Sequence, residues 1–158
     1  MAPDPDGKPI DMRAAPAVGS WTAHTTTLVD PSRQLGFITI MNTARHYLLG
    51  YVFRRAEYPW VQNYMQYNSE WMGRGVEFAT QPFDLPHRDI EEMNRMYDTP
   101  VYRWLPAKSK IATHFLLFYV KSPEGMTHVD DVRLENGKLI VEDRAAGKTL
   151  TLAASLPM

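Results

Sequence analysis

The chain of 158 residues has no cysteine. That excludes disulfides, a thiolate nucleophile and cysteine-ligated zinc or iron–sulfur centres. Nor does either charge dominate: 17 Lys and Arg stand against 18 Asp and Glu, a formal net charge of −1 with histidine neutral. A phosphate backbone rewards concentrated positive charge, so no nucleic-acid partner is expected. Long apolar runs are missing too. Phe115 to Val120 is far too short to span a bilayer. The N-terminal MAPDPDGKPIDMRAAP has two acids before its first base and lacks the apolar segment of an export signal. The expectation is a cytoplasmic protein with no membrane partner. HExxH, GxSxG, the Walker loop and GxGxxG are all absent, so neither a metal nor a cofactor is expected.

What is present begins with a change of texture. Pro3, Pro5, Pro9 and Pro16, with Gly7 and Gly19, crowd the first 20 residues. Proline removes backbone donors and blocks regular pairing, which predicts a flexible proline-rich arm over 1–20 and a single domain over 21–158. A chain of this length can bury about two thirds of the surface it exposes when unfolded, so it needs no staple.

Strand signals follow at short intervals: WTAHTTTLV (21–29), GFITIM (36–41), HYLLGYVF (46–53), VQNYMQYN (61–68) and GVEFAT (75–80). Ile90, Met93 and Tyr97 recur at helical spacing and predict a short helix over 89–97. Strands are then expected at 101–106, 111–121 and 129–134. Asn136-Gly137 forms a type I′ hairpin turn into LIVEDR, and TLTLAA ends the series. Many short strands and one brief helix predict a mainly β fold, an antiparallel β-sandwich or barrel.

GRGVEFATQPFD (73–84) puts a carboxylate inside a strand. Alternation gives Val76 and Phe78 one face and Glu77 and Ala79 the other, so Glu77 can meet a groove while its neighbours anchor it. FRRAEYPW (53–60) and WMGRG (71–75) combine arginine forks with flat indole rings, the pairing that suits saccharide hydroxyls and C–H faces. The candidate binding set is therefore Glu77 with Arg55 or Arg74, Trp60 or Trp71, and Gln81, Asp84 and His24. Solvated strand positions and core tryptophans are the competing reading of these residues. Asp84, His87 and Asp89 have the spacing of a metal-ligand set without any recognised motif.

The stretch Val76-Glu77, Thr80-Gln81-Pro82 and Asp84 resembles the aldose 1-epimerase (galactose mutarotase) family, whose members carry Leu-Glu-Thr-Gln followed by Pro-Asp. Here Phe78-Ala79 separates the glutamate from Thr-Gln. The likeness extends over roughly 21–155 and corresponds to the C-terminal half of the family's larger sandwich. It implies a mutarotase-like β-sandwich that binds carbohydrate, with Glu77 as catalytic base. Turnover by an isomerase of this kind also needs a histidine acid, for which His24 and His46 lack the family's sequence context. Half a sandwich leaves sheet edges open, which points to a homo-oligomer formed through an edge or face. The rival reading is a non-catalytic protein-interaction β-module.

Overall fold

The structure, a computed structural model, describes residues 2–3, 7–10, 21–67 and 72–154. Ala2–Pro3 (β1) pairs with Pro9–Ile10 (β2), with Gly7 between them at φ 81°. The proline-rich arm thus includes a short antiparallel ladder; residues 11–20 lie outside the described residues. The strands that follow are Trp21–Leu28 (β3), Leu35–Asn42 (β4), Tyr47–Arg54 (β5), Trp60–Tyr67 (β6) and Met72–Ala79 (β7). Helix His87–Met93 (α1) leads to Arg95–Met96 (β8) and Thr99–Pro100 (β9). Phe115–Lys121 (β10), Asp131–Glu135 (β11), Lys138–Asp143 (β12) and Lys148–Ala153 (β13) complete the order.

All pairing is antiparallel. Three sheets run β3-β6-β7, β10-β5-β4 and β11-β12-β13, and β8-β9 makes a small hairpin. The fold is mainly β, as expected. Among the described residues the sheets stay separate and do not close into a barrel or one continuous sandwich.

The central sheet, β10-β5-β4, is apolar on both faces. On one, Leu48, Val52 and Phe118 join Val132, Leu139 and Val141 of the C-terminal sheet in one buried cluster that Met126 completes. Phe118 lies opposite Gly50 in the ladder, and its ring occupies the space a side chain at 50 would need. Arg33 ties the β3–β4 turn to this layer through Asp131 Oδ1, at 2.7 Å. At the tip of the C-terminal sheet Asn136 and Gly137 both have positive φ, 50° and 72°, as a type I′ turn requires.

The opposite face of the central sheet receives β7. Phe53 is fully buried and stacks on Phe78 with ring centroids 4.6 Å apart, and Tyr51, Tyr58 and Phe115 close around Phe78. Gly36 faces Phe53 across the ladder, and a Cβ there would lie 2.5 Å from the ring. The two glycines therefore make room for two rings, and each ring fills the gap its partner leaves.

Three expectations change. Residues 101–106 form no strand, and β10 starts only at Phe115, leaving His114 exposed with its N–H donating to Glu57 Oε2 at 3.2 Å. The helix ends at Met93, where Asn94 takes a positive φ of 56° and returns its N–H to the Ile90 carbonyl at 3.1 Å. Tyr97, expected inside that helix, instead turns the β8-β9 hairpin with Asp98.

Candidate functional site

The ladder of β3, β6 and β7 sets which side chains share a face. Glu77 stands opposite Gln62, which stands opposite Thr26; one step along, Gly75, Tyr64 and His24 form the adjoining row. Partners in register point to the same side. Phe78 and Val76 point to the other, where Phe78 enters the aromatic cluster, so the alternation read from the sequence holds. Glu77 is exposed and makes no hydrogen bond or ion pair among the described residues. Its carboxylate folds over Gly75: Oε1 lies 3.3 Å from where a Cβ on residue 75 would sit, beside the Cβ of Tyr64. His24 meets Tyr64 edge-on at 6.0 Å. Tyr64 donates its hydroxyl to Gln66 Oε1.

The Thr-Gln-Pro segment closes one end of this face. Gln62 Nε2 donates to the Gln81 carbonyl at 3.0 Å, Gln81 Nε2 donates to Phe83 O at 3.1 Å, and the Thr26 hydroxyl donates to Pro82 O. Gln81 thus approaches the Glu77 row through its main chain, while its side chain holds its own loop.

The other candidates are placed elsewhere. Arg74 is on the face opposite Glu77, its Nε donating to Asn63 Oδ1 at 3.0 Å. Trp60 is 1% exposed, packed with Ile90 and Val101, and its Nε1 donates to the Pro100 carbonyl at 3.0 Å. It anchors the helix and hairpin rather than offering a flat face to a ligand. Asp84 is exposed beyond the loop, and Trp71 lies outside the described residues. Arg55 lines a pocket at the far end of β7 with Thr80 and Tyr102. The structure therefore brings Glu77, His24 and Gln81 to one face and separates Arg55, Arg74, Trp60 and Asp84 from it.

Tyr64 and Gln62 were not singled out in the sequence. The alternation of VQNYMQYN does set them on the side away from Val61, Asn63 and Met65, but only the register shows that this is the side of Glu77.

A second cluster joins His128, Asp130 and Asp143, whose ligating atoms all lie within 4.8 Å of one another, close enough to share a cation. Asp84, His87 and Asp89 form no such group among the described residues. Asp143 is fully buried and already accepts N–H bonds on both oxygens: Thr127 at 2.8 Å and His128 at 3.3 Å on one, Ala146 at 2.9 Å on the other. Both ring nitrogens of His128 face carboxylates, Nε2 at 3.2 Å from Asp130 and Nδ1 at 3.4 Å from Asp143. The cluster locks the turn between the sheets.

The Thr127 amide, helped by those of Ala146 and His128 and by the His128 ring, holds the Asp143 carboxyl down at about 2 from an ordinary 3.8, against the opposing cost of burial. The folded chain accepts this proton less readily than the unfolded chain. Its contribution to stability is complete above the unfolded value of 3.8 and is lost as pH falls toward 2. Asp143→Asn should lower the melting temperature by several degrees at neutral pH and flatten the acid limb of the stability curve. Scanning calorimetry from neutral to acidic pH reads both, and an unchanged acid limb would remove Asp143 as its source.

Comparison with protein-family models, curated proteins and solved structures finds no match to this chain.

Proposed function

We propose that the chain is a carbohydrate-binding domain of galactose-mutarotase-like architecture, with the sugar bound on the β3-β6-β7 face at Glu77. The observation that carries this reading is the unpartnered carboxylate of Glu77 over Gly75, beside the Tyr64 side chain on an open face. A carboxylate accepts strongly from a sugar hydroxyl, a tyrosine ring supports the C–H side of a pyranose, and a glycine lets the ligand approach the backbone. His24, on the same face, supplies a second polar contact. The shared core of the central and C-terminal sheets supports the sandwich architecture.

In mutarotation one group removes the anomeric hydroxyl proton while another protonates the ring oxygen on the same carbon. Among the described residues of this face, Tyr64 has its hydroxyl taken by Gln66, which leaves His24 as the titratable partner that could serve beside Glu77. Their strands are two ladder spacings apart, about 10 Å, so the side chains must converge to act together. Binding is therefore the primary activity, and little acceleration of mutarotation is expected.

Glu77→Gln keeps the shape and removes the charge. It should leave folding intact and weaken glucose or galactose binding by about 1.5–3 kcal/mol. Calorimetric titration of both proteins decides this; equal affinities would move the site off Glu77. Polarimetry of fresh α-glucose reads turnover separately.

One observation favours the interaction-module reading. Phe115, Leu117 and Tyr119 of β10 are 50%, 53% and 66% exposed on an edge strand of the central sheet. Together they offer on the order of 300 Å² of apolar surface per chain, below the roughly 800 Å² per partner of a standard interface. A second copy seated there would need edge-to-edge strand pairing as well, and would make a weak dimer. Sedimentation showing only monomer at high concentration, together with sugar binding, would set this reading aside.

A further inference from the structure

The pocket at the far end of β7 is separate from the Glu77 face and has its own chemistry. It encloses about 220 Å³ between the turn after β5, the residue after Ala79, the β8-β9 hairpin and the segment that follows. Two guanidinium groups and two hydroxyls in its lining are free to donate. Arg55 is fixed by its Nε, which donates to the Val29 carbonyl at 3.1 Å, and its two terminal nitrogens make no hydrogen bond among the described residues. Arg103 makes no hydrogen bond or ion pair among them, and the Thr80 and Tyr102 hydroxyls are likewise unpartnered. The lining also carries two carboxylates, of which Glu57 is held by its neighbours and Asp98 turns its side chain to solvent. Glu57 accepts the His114 N–H and lies 3.7 Å from Arg54, and Asp98 has Arg95 at 4.0 Å.

Beside the pocket, the turn of the β8-β9 hairpin is strained, and of its two residues Asp98 reaches the lining. Tyr97 and Asp98 hold φ values of 49° and 60°, a left-handed pair without a glycine, which costs of order 1–3 kcal/mol per residue. Arg95 donating to the Asp98 carbonyl helps keep it in place. Strain of this kind collects where a wall must be held in one shape for a ligand.

We infer that this pocket binds the carboxylate or phosphate group of a small anionic molecule, with Arg55 and Arg103 forking onto its oxygens and Thr80 adding a hydroxyl. Arginine presents planar paired donors that match both oxyanions, and anchoring at Nε leaves the terminal nitrogens of Arg55 without a hydrogen bond among the described residues, with the Asp30 carboxylate near enough to feel their charge. Tyr102 offers the bound molecule an apolar side. The volume suits a ligand of monosaccharide size or smaller. This inference does not depend on sugar binding at Glu77.

The test is calorimetric titration at low salt with inorganic phosphate, glucuronate, glucose 6-phosphate and neutral glucose, on the unaltered chain and on Arg55→Gln, Arg103→Gln and Glu77→Gln. At least one anion should bind. Either arginine change should weaken it about ten- to a hundredfold, and Glu77→Gln should leave the binding of inorganic phosphate, which has no sugar to meet that face, unchanged. Phosphate alone binding would assign a phosphate site; glucuronate alone, a carboxylate site. Arg55 also holds the Val29 carbonyl, so Arg103→Gln, on an exposed residue, keeps the test valid if Arg55→Gln fails to fold. Three results would overturn the inference: no binding by any anion, anion affinities unaltered by the arginine changes, or loss of inorganic phosphate binding in Glu77→Gln. Glucose binding that survives while anion binding fails would leave the Glu77 reading standing alone.

Discussion

Trp60→Ala is expected to destabilise the fold by about 3–5 kcal/mol, the range for truncating a buried large aromatic. The indole is the largest fully buried side chain among the described residues. It stands on the same side of its sheet as Glu77, but α1 and the β8-β9 hairpin cover it through Ile90, Val101, Met93 and Met96. Its removal also leaves the Pro100 carbonyl without its donor. Urea unfolding should show the loss, and Trp60→Phe should recover most of the packing while still lacking the N–H. An alanine variant of full stability with impaired sugar binding would mean that Trp60 serves a ligand after all.

Phe53→Ala carries a comparable cost, about 3–5 kcal/mol, with a different consequence. Phe53 joins two sheets: its ring fills the space over Gly36 and stacks on Phe78, the neighbour of Glu77. Truncation opens a cavity at the seam where β7 docks. The amides of β7 should then exchange faster than those of the C-terminal sheet, whose core lies on the other face of β5. Uniform loss of protection across both regions would mean that the sheets unfold as one unit and that Phe53 does not hold β7 in particular.

Local rules made much of this architecture legible in the sequence. Asn136-Gly137 announced a turn because both residues tolerate positive φ, and the alternation around Glu77 is a two-residue period that no distant contact can shift. Where local rules were silent, the reading failed. Tyr97-Asp98 carries no glycine to mark a hairpin turn, so the strain that forms it was invisible. Residues 101–106 alternate, yet no neighbouring strand pairs with them, and alternation without a partner makes no sheet. Trp60 and Arg55 have the chemistry of a sugar site, but burial of one and the pocket position of the other depend on segments about 20 to 50 residues away. Tyr64 beside Glu77 needed the register of β6 against β7. The anion pocket draws on three separate stretches of chain and could not be read from any of them.

The most direct measurement is an amide chemical-shift titration of the chain with glucose and with galactose, repeated on Glu77→Gln. Binding at the open face predicts shifts concentrated at His24, Gln62, Tyr64, Gly75 and Glu77, greatly reduced in the variant. Shifts confined to other regions, or none at saturating sugar, would contradict a carbohydrate site at Glu77.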